Sequence, residues 1–148
     1  MKWFLLAYVV ISVLLWDPKL HSGGDNCVYM ILAESIATGR GYRDLHITGE
    51  PQHKTYPPGF PLLLTPFMWV FGRNLLVFKL VVMFTGMGGL LFFDKITRRI
   101  MPPQYAVITT LLYLSMPAMY VYAHYVLSDI PYTTLSLGAI WFVVKNES

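Results

Sequence analysis

Four stretches of this chain are apolar enough to lie in the hydrocarbon of a bilayer, and they limit its possible folds more than any other feature. They cover residues 3–16, 74–93, 104–127 and 130–144, and Lys79 is the only charged side chain inside them. Of the 148 residues, 13% are charged, against about 25% in a typical soluble domain. The sequence therefore predicts an all-α fold, a polytopic membrane helix bundle of about four spans.

The first stretch has a second interpretation. It is shorter than the roughly 20 residues of an upright spanning helix, and it follows Lys2 as the apolar core of a signal peptide would. No small-residue cleavage site follows it, so we favour an uncleaved first helix with Trp3 and Trp16 near its ends.

Charge and cysteine content exclude several classes of protein. The net charge is +3, but no run of basic residues is long enough to predict a nucleic-acid partner. Cys27 is the only cysteine, so no internal disulfide can form. The expected surroundings are membrane lipids.

The distribution of basic residues predicts the orientation. With a cytoplasmic N-terminus, Lys2, Lys145 and the cluster Lys95, Arg98 and Arg99 all lie on the inner side. This arrangement satisfies the positive-inside rule. The outer loop, residues 17–73, and the short connection at Ser128 and Asp129 then lie outside.

The outer loop carries two short helical patterns. Apolar residues recur at helical spacing over residues 26–38, before Gly39 and Gly41, which predicts an amphipathic helix lying on the bilayer. Residues 62–71 are apolar but are preceded or interrupted by several prolines, which predicts a helix at the interface rather than a full span.

Two acidic residues of the outer side are candidate catalytic residues, Asp25 in the outer loop and Asp129 between the third and fourth stretches. Ionisable groups at membrane depth are costly and tend to mark function. If the spans form a bundle, both carboxylates could face one cleft, where one acts as a general base and the pair holds a divalent metal ion. The alternative for each is a helix cap.

Other polar residues give weaker indications. Lys54 and Tyr56 are candidate substrate-binding residues, because a lysine before the proline-rich step could meet a phosphate at the membrane surface; a solvated loop lysine is the alternative. The histidines have no metal-ligand spacing and are expected at the surface or interface: His21, His46, His53 and His124. Small residues over 85–89 favour close packing against a neighbouring helix.

Two motifs of the outer loop resemble a known family. They are DNCVYMILAESIATGRGY over residues 25–42 and YPPGFPLLL over residues 56–64. Together with the first span, they resemble the start of the polytopic GT-C glycosyltransferases. This group includes the dolichyl-phosphate-mannose protein mannosyltransferases and the lipid A aminoarabinose transferase (glycosyltransferase family 39 and its neighbours). The connection around Ser128, Asp129 and Pro131 fits the same order of elements, so the resemblance covers nearly the whole chain.

The resemblance implies a function. Such enzymes move a sugar from a polyprenyl-phosphate donor to a lipid, glycan or protein acceptor outside the cytoplasm, with inversion at the anomeric carbon. Asp25 then corresponds to the base, and Asp129 helps to build the site and, in some members, to hold a metal. Lys54 corresponds loosely to a basic residue near the donor phosphate. The implied location is the bacterial inner membrane.

The chain departs from the family at two points. Many relatives have Asp-Glu where this chain has Asp25 and Asn26. Family members also run to several hundred residues, so the resemblance implies an N-terminal portion that is inactive alone.

Two other classes of function stay open. A scaffold or partner subunit is favoured by the small residues over 85–89, and a small transporter is disfavoured because Lys79 is the only intramembrane charge.

Overall fold

Helices make up most of residues 1–19 and 25–146, the part of the chain that the computed structural model describes. The all-α prediction is confirmed, since this part contains no strand beyond a single bridge between Arg43 and Gln52. The helices are α1 (Lys2–Leu14), α2 (Asn26–Ala37), α3 (Gly59–Phe71), α4 (Leu75–Ile100), α5 (Pro103–Leu114), α6 (Pro117–Ala123) and α7 (Asp129–Asn146).

Helix lengths support fewer than the four predicted spans. Among the described residues, α4 is the one helix long and apolar enough to cross a membrane, and a second candidate arises only if α5 and α6 count as one bent span. α1 has 13 residues, which cover about 20 Å at 1.5 Å per residue. α7 has 18 residues, but Asp129, Lys145 and Asn146 occupy its ends.

α4 continues beyond the predicted boundary at residue 93. Its helix runs to Ile100, so Lys95, Arg98 and Arg99 lie on its last turns and not in a loop. The next helix breaker is Pro102. Arg98 also pairs with Asp94 one turn earlier, with 2.8 Å between Nε and Oδ2, which favours the extended helix. Asp94 is a buried acidic residue that the predicted boundary left outside the span.

The third apolar stretch bends where its proline predicts a bend. α5 ends at Leu114, α6 begins at Pro117, and their axes differ by 49°. Proline lacks the amide hydrogen that a continuous helix needs, so Pro117 is placed in the first turn of a new helix.

Close packing around α4 uses its small residues, as the sequence predicts. A Cβ at Gly89 would lie 2.9 Å from Thr134 Oγ1 on α7, and one at Gly86 would overlap the Tyr8 hydroxyl of α1. Thr134 also donates a hydrogen bond to the Thr85 carbonyl at 2.7 Å. This small-residue face is therefore covered within the chain.

Lys79 fastens the segment after α1 to the start of α4. Its Nζ donates to the carbonyl oxygens of Asp17 at 2.7 Å and Lys19 at 2.5 Å, and its side chain is buried. A buried ammonium group requires such acceptors. Lys79 is therefore held inside the protein and does not extend toward lipid headgroups.

The helix directions separate the charged residues into two groups. α1 runs antiparallel to α4, because Tyr8 contacts Met83 while the residues after α1 reach Lys79. α7 runs parallel to α4, because Thr134 meets Thr85 while Gly138 faces Phe92. Lys95, Arg98, Arg99 and Lys145 thus lie at one end of the bundle, and the segment after α1 lies at the other.

α2 and α3 form a hairpin that packs on the start of α4. Their shared core contains Tyr29, Phe60, Leu64 and Phe78. Gly39 ends α2 with a φ of 73°, a conformation that glycine adopts without steric cost. Both predicted loop helices are confirmed, although α2 packs on α3 and on the bundle and therefore does not lie alone on a membrane surface.

Candidate functional site

Asp25 immediately precedes α2 and contacts a residue far along the chain. Its side chain makes no capping hydrogen bond to α2. The Tyr56 hydroxyl instead donates to Asp25 Oδ1 at 2.5 Å. The capping interpretation is therefore wrong for this side chain, because Asp25 is bound to the proline-rich step that begins the second motif.

Tyr56 is held in position by aromatic rings. Its ring lies 5.3 Å from that of Tyr29 and 5.4 Å from that of His53, between ring centroids. The hydrogen bond to Asp25 is the main cause that raises the pKa of the Tyr56 hydroxyl, followed by desolvation and by the Asp25 charge. Tyr56 is thus a neutral donor that directs one oxygen of the Asp25 carboxylate.

The main chain of Tyr56 is bonded on both sides. The Tyr56 amide donates to His53 Nε2 at 3.0 Å, and the Tyr42 hydroxyl donates to the Tyr56 carbonyl at 3.0 Å. Burial, with smaller contributions from Tyr29 and Asp44, raises the pKa of Tyr42 to about 12. Tyr42 therefore remains a donor at neutral pH.

His53 belongs to this site, contrary to the predicted surface or interface location. It is buried, and its Nδ1 lies 2.7 Å from Asp44 Oδ1. His124 is also buried, with Nε2 3.0 Å from the Ser12 carbonyl, whereas His46 is exposed. His21 lies outside the described residues. Short spacing between Asp44 and His53 was the only signal in the sequence, and such spacing alone does not predict a contact.

The start of α2 is joined to the connection between α6 and α7. Asn26 Oδ1 accepts a hydrogen bond from the Val126 amide at 2.7 Å, and Asn26 is buried. One turn later, the Tyr29 hydroxyl lies 3.0 Å from Ser128 Oγ. Asn26, which departs from the family pattern, is thus an acceptor for a buried amide.

Asp129 and Lys54 are less involved than Asp25 and Tyr56. Asp129 is exposed in the first turn of α7, where its negative charge interacts favourably with the helix dipole. Its neighbour Ser128 contacts α2, so Asp129 lies at the same end of the bundle as Asp25, but no hydrogen bond between the two carboxylates is found in the described chain. Lys54 is exposed beside His53.

An apolar groove opens next to the Asp25–Tyr56 contact. Its volume is about 570 Å³, within the range of roughly 300–1,000 Å³ that small-molecule sites occupy. Tyr29, Pro57 and Ser128 line one part of it, and it continues between α3 and α7 along Phe60, Leu63, Tyr132 and Leu135. The groove suits a long apolar group.

A metal site does not fit the residues around Asp25. Within residues 1–19 and 25–146, no group of three or more histidine, cysteine, aspartate or glutamate side chains could hold an ion. The imidazole of His53, which contacts Tyr56, is hydrogen-bonded to Asp44 and to the Tyr56 amide.

No protein-family model, curated protein or solved structure matches this chain. The function is therefore inferred from the geometry of the site and from the motifs in the sequence.

Proposed function

We propose that the chain takes part in glycosyl transfer at the outer face of a bacterial inner membrane, with a polyprenyl-phosphate sugar as donor. The observation that carries the proposal is the hydrogen bond between Asp25 and Tyr56, because the Tyr56 ring packs on Tyr29 and Tyr29 lines the apolar groove. This contact joins the two motifs that resemble the GT-C enzymes, because Asp25 begins the first and Tyr56 begins the second.

In this mechanism, Asp25 is the general base. The hydroxyl oxygen of the acceptor attacks the anomeric carbon while its proton passes to the Asp25 carboxylate. The bond from that carbon to the phosphate oxygen breaks, and its electron pair leaves with the lipid phosphate. A phosphate is already a good leaving group, so the protein chiefly aligns the acceptor and removes its proton. The neutral Tyr56 hydroxyl orients the carboxylate. Its pKa is raised, chiefly by the hydrogen bond to Asp25, so the hydroxyl keeps its proton.

We propose that the isoprenoid chain of the donor binds in this groove. Its walls along Phe60, Leu63 and Leu135 are apolar, as a polyprenyl tail requires. In this proposal the donor phosphate lies by Tyr29 and Ser128, and Lys54, exposed two residues before Tyr56, is the candidate source of positive charge. Asp129 completes the same end of the bundle.

The exposed surface supports a membrane location. Large apolar side chains point outward from α1, α3 and α7, among them Trp3 at 80%, Trp69 at 66% and Leu135 at 73% exposure. In water such a surface would be unfavourable over so much of a small protein. We propose that α1, α4, the α5–α6 pair and α7 form the four-span bundle, with the end that carries Lys95 and Lys145 in the cytoplasm.

Donor binding and transfer are tested separately. Binding is measured by photo-crosslinking a polyprenyl-phosphate sugar analogue to the 148-residue chain in nanodiscs. Transfer is measured with a radiolabelled donor in membranes expressing the whole reading frame that contains these residues, because the resemblance implies that the chain alone is inactive.

Asp25→Asn should lower transfer by about 100-fold or more, the contribution of a positioned base. Donor crosslinking should change little, because the amide is nearly isosteric with the carboxylate. Glu50→Gln is the matched control, since Glu50 pairs with Arg40 on the surface of the same loop. Near-normal transfer by a correctly folded Asp25→Asn variant would disprove the assignment of the base.

A further inference from the structure

The imidazole of His53 makes two hydrogen bonds that together define its protonation state. Nε2 accepts from the Tyr56 amide, and a peptide N–H can only donate, so Nε2 carries no proton. Nδ1, at 2.7 Å from Asp44 Oδ1, is then the nitrogen that carries the proton and donates. The ring is therefore neutral in this geometry, with its proton on the side of Asp44.

A second proton would break this arrangement. It could attach only at Nε2, where it would face the Tyr56 N–H and convert a hydrogen bond into a repulsive contact between two donors. Histidine is the side chain that ordinarily changes protonation in the physiological pH range. The buried location leaves the ring little room to turn away.

The consequence of such a break reaches Asp25 through Tyr56. The hydrogen bond from the Tyr56 amide to His53 Nε2 closes the turn between these two residues. The His53 and Tyr56 rings also stack at an interplanar angle of 15°. Loss of the bond frees the main chain that aims the phenol at Asp25 Oδ1. The hydrogen bond from the Tyr42 hydroxyl to the Tyr56 carbonyl does not by itself prevent rotation about the other main-chain bonds of the turn.

We propose that His53, held by Asp44, is a positioning residue that keeps Tyr56 on Asp25 only while its ring is neutral. Acidification would then lower sugar transfer in two ways, by protonation of His53 and by protonation of the base. This inference rests on the proposed glycosyl transfer and adds to it the control of the site by pH.

The charged and titratable groups around the ring are few. Asp44 faces Nδ1 from the preceding loop, and the Tyr42 ring packs edge-on at 5.4 Å. Tyr56 covers the face, with Asp25 beyond its hydroxyl and exposed Lys54 next in the chain.

The first test is nitrogen NMR of the ¹⁵N-histidine-labelled chain in nanodiscs. The His53 signals are those missing from the spectrum of His53→Gln. At neutral pH we expect a protonated Nδ1 and an unprotonated Nε2, together with a downfield phenol proton from Tyr56. That phenol signal should return to an ordinary position when Nε2 gains a proton. A proton on Nε2 at neutral pH, or an unchanged phenol signal on acidification, would overturn the inference.

The second test is the pH profile of transfer. Asp44→Asn preserves an oxygen acceptor for Nδ1 but removes the negative charge beside the ring, so the acid limb should move to lower pH. A purely structural role for Asp44 would change the rate without moving this limb. His46→Gln is the matched control, because His46 is exposed on the same loop. The acid limb of the pH profile of this variant should coincide with that of wild type.

The two proposals fail in different ways. If no variant or wild-type protein transfers sugar, the proposed function is wrong, while the NMR signals still decide whether His53 controls the Tyr56 contact. If transfer depends on Asp25 but the acid limb is the same in wild type, Asp44→Asn and His53→Gln, the function stands and the role of His53 is wrong.

Discussion

At the scale of single residues, the site depends on one short contact between two positions far apart in the sequence. Asp25 and Tyr56 were both candidate residues from sequence, but the hydrogen bond between their side chains was not predicted. Motif spacing indicates which residues share a function, whereas their contact requires the α2–α3 hairpin and the ordered loop between Tyr42 and Tyr56. For the same reason the contact between His53 and Asp44 could not be predicted.

Removing the Tyr56 hydroxyl should weaken transfer without abolishing it. Tyr56→Phe keeps the ring packed on Tyr29 but deletes the donor that orients the carboxylate. We expect a loss of about tenfold, the scale of one hydrogen bond to a charged group. A reduction as large as that of Asp25→Asn would contradict an orienting role. Tyr105→Phe, which removes an exposed hydroxyl on α5, is the control.

The same phenol gives a stability prediction at alkaline pH. Because the folded pKa of Tyr56 is raised above its ordinary value of 10.0, its bond to Asp25 stabilises the fold fully below pH 10 and loses this effect as the pH rises through the raised pKa. The melting temperature of Tyr56→Phe should therefore lie below that of wild type at neutral pH, and the gap should close in strong alkali. A gap independent of pH would show that ring packing, not the hydroxyl, is responsible.

At the scale of helices, sequence patterns predicted the elements better than their extents. The two loop helices, the break at Pro117 and the close packing around residues 85–89 are all found. The α4 helix continues past residue 93, where the predicted span ends, because hydropathy marks where apolar residues end and not where the backbone stops being helical. Arg98 can extend a helix by pairing with Asp94, a contact that hydropathy does not register.

The contact of α4 with α7 should be sensitive to a single methyl group. Gly89→Ala places a Cβ about 2.9 Å from Thr134 Oγ1, and such overpacking costs about 1–3 kcal/mol. Thermal unfolding in detergent should therefore begin at lower temperature than in wild type. Gly59→Ala is the matched control, since a Cβ there meets no atom within 4 Å and the φ is ordinary. Equal destabilisation by both variants would argue against tight helix packing at Gly89.

At the scale of the whole molecule, the charge distribution and the helix directions agree. The sequence predicted that Lys95, Arg98, Arg99 and Lys145 share one side, and the parallel course of α4 and α7 brings them to one end. Lys95 even lies over the Trp141 ring, with 5.7 Å from Nζ to its centroid. The number of membrane crossings stays a proposal, because helix length alone identifies α4 and, with the bent pair, one more.

Cys27 allows the orientation to be measured directly. It is the only cysteine, it is partly exposed, and it lies beside Asp25. A membrane-impermeant maleimide added to intact spheroplasts should label it from outside. Asn146→Cys in a Cys27→Ala background should be labelled only after the membrane is opened. The opposite pattern would reverse the orientation, and labelling of both from outside would contradict the four-span bundle.

The groove is assembled from helices far apart in the sequence, and this sets the earliest time at which it can form. Tyr29 and Phe60 come from α2 and α3, whereas Tyr132 and Leu135 belong to α7. During translation the ribosome releases Asp25 and Tyr56 well before α7, which forms the opposing wall. A nascent chain therefore carries an incomplete groove, and ligand binding there requires that α7 has been synthesised and packed.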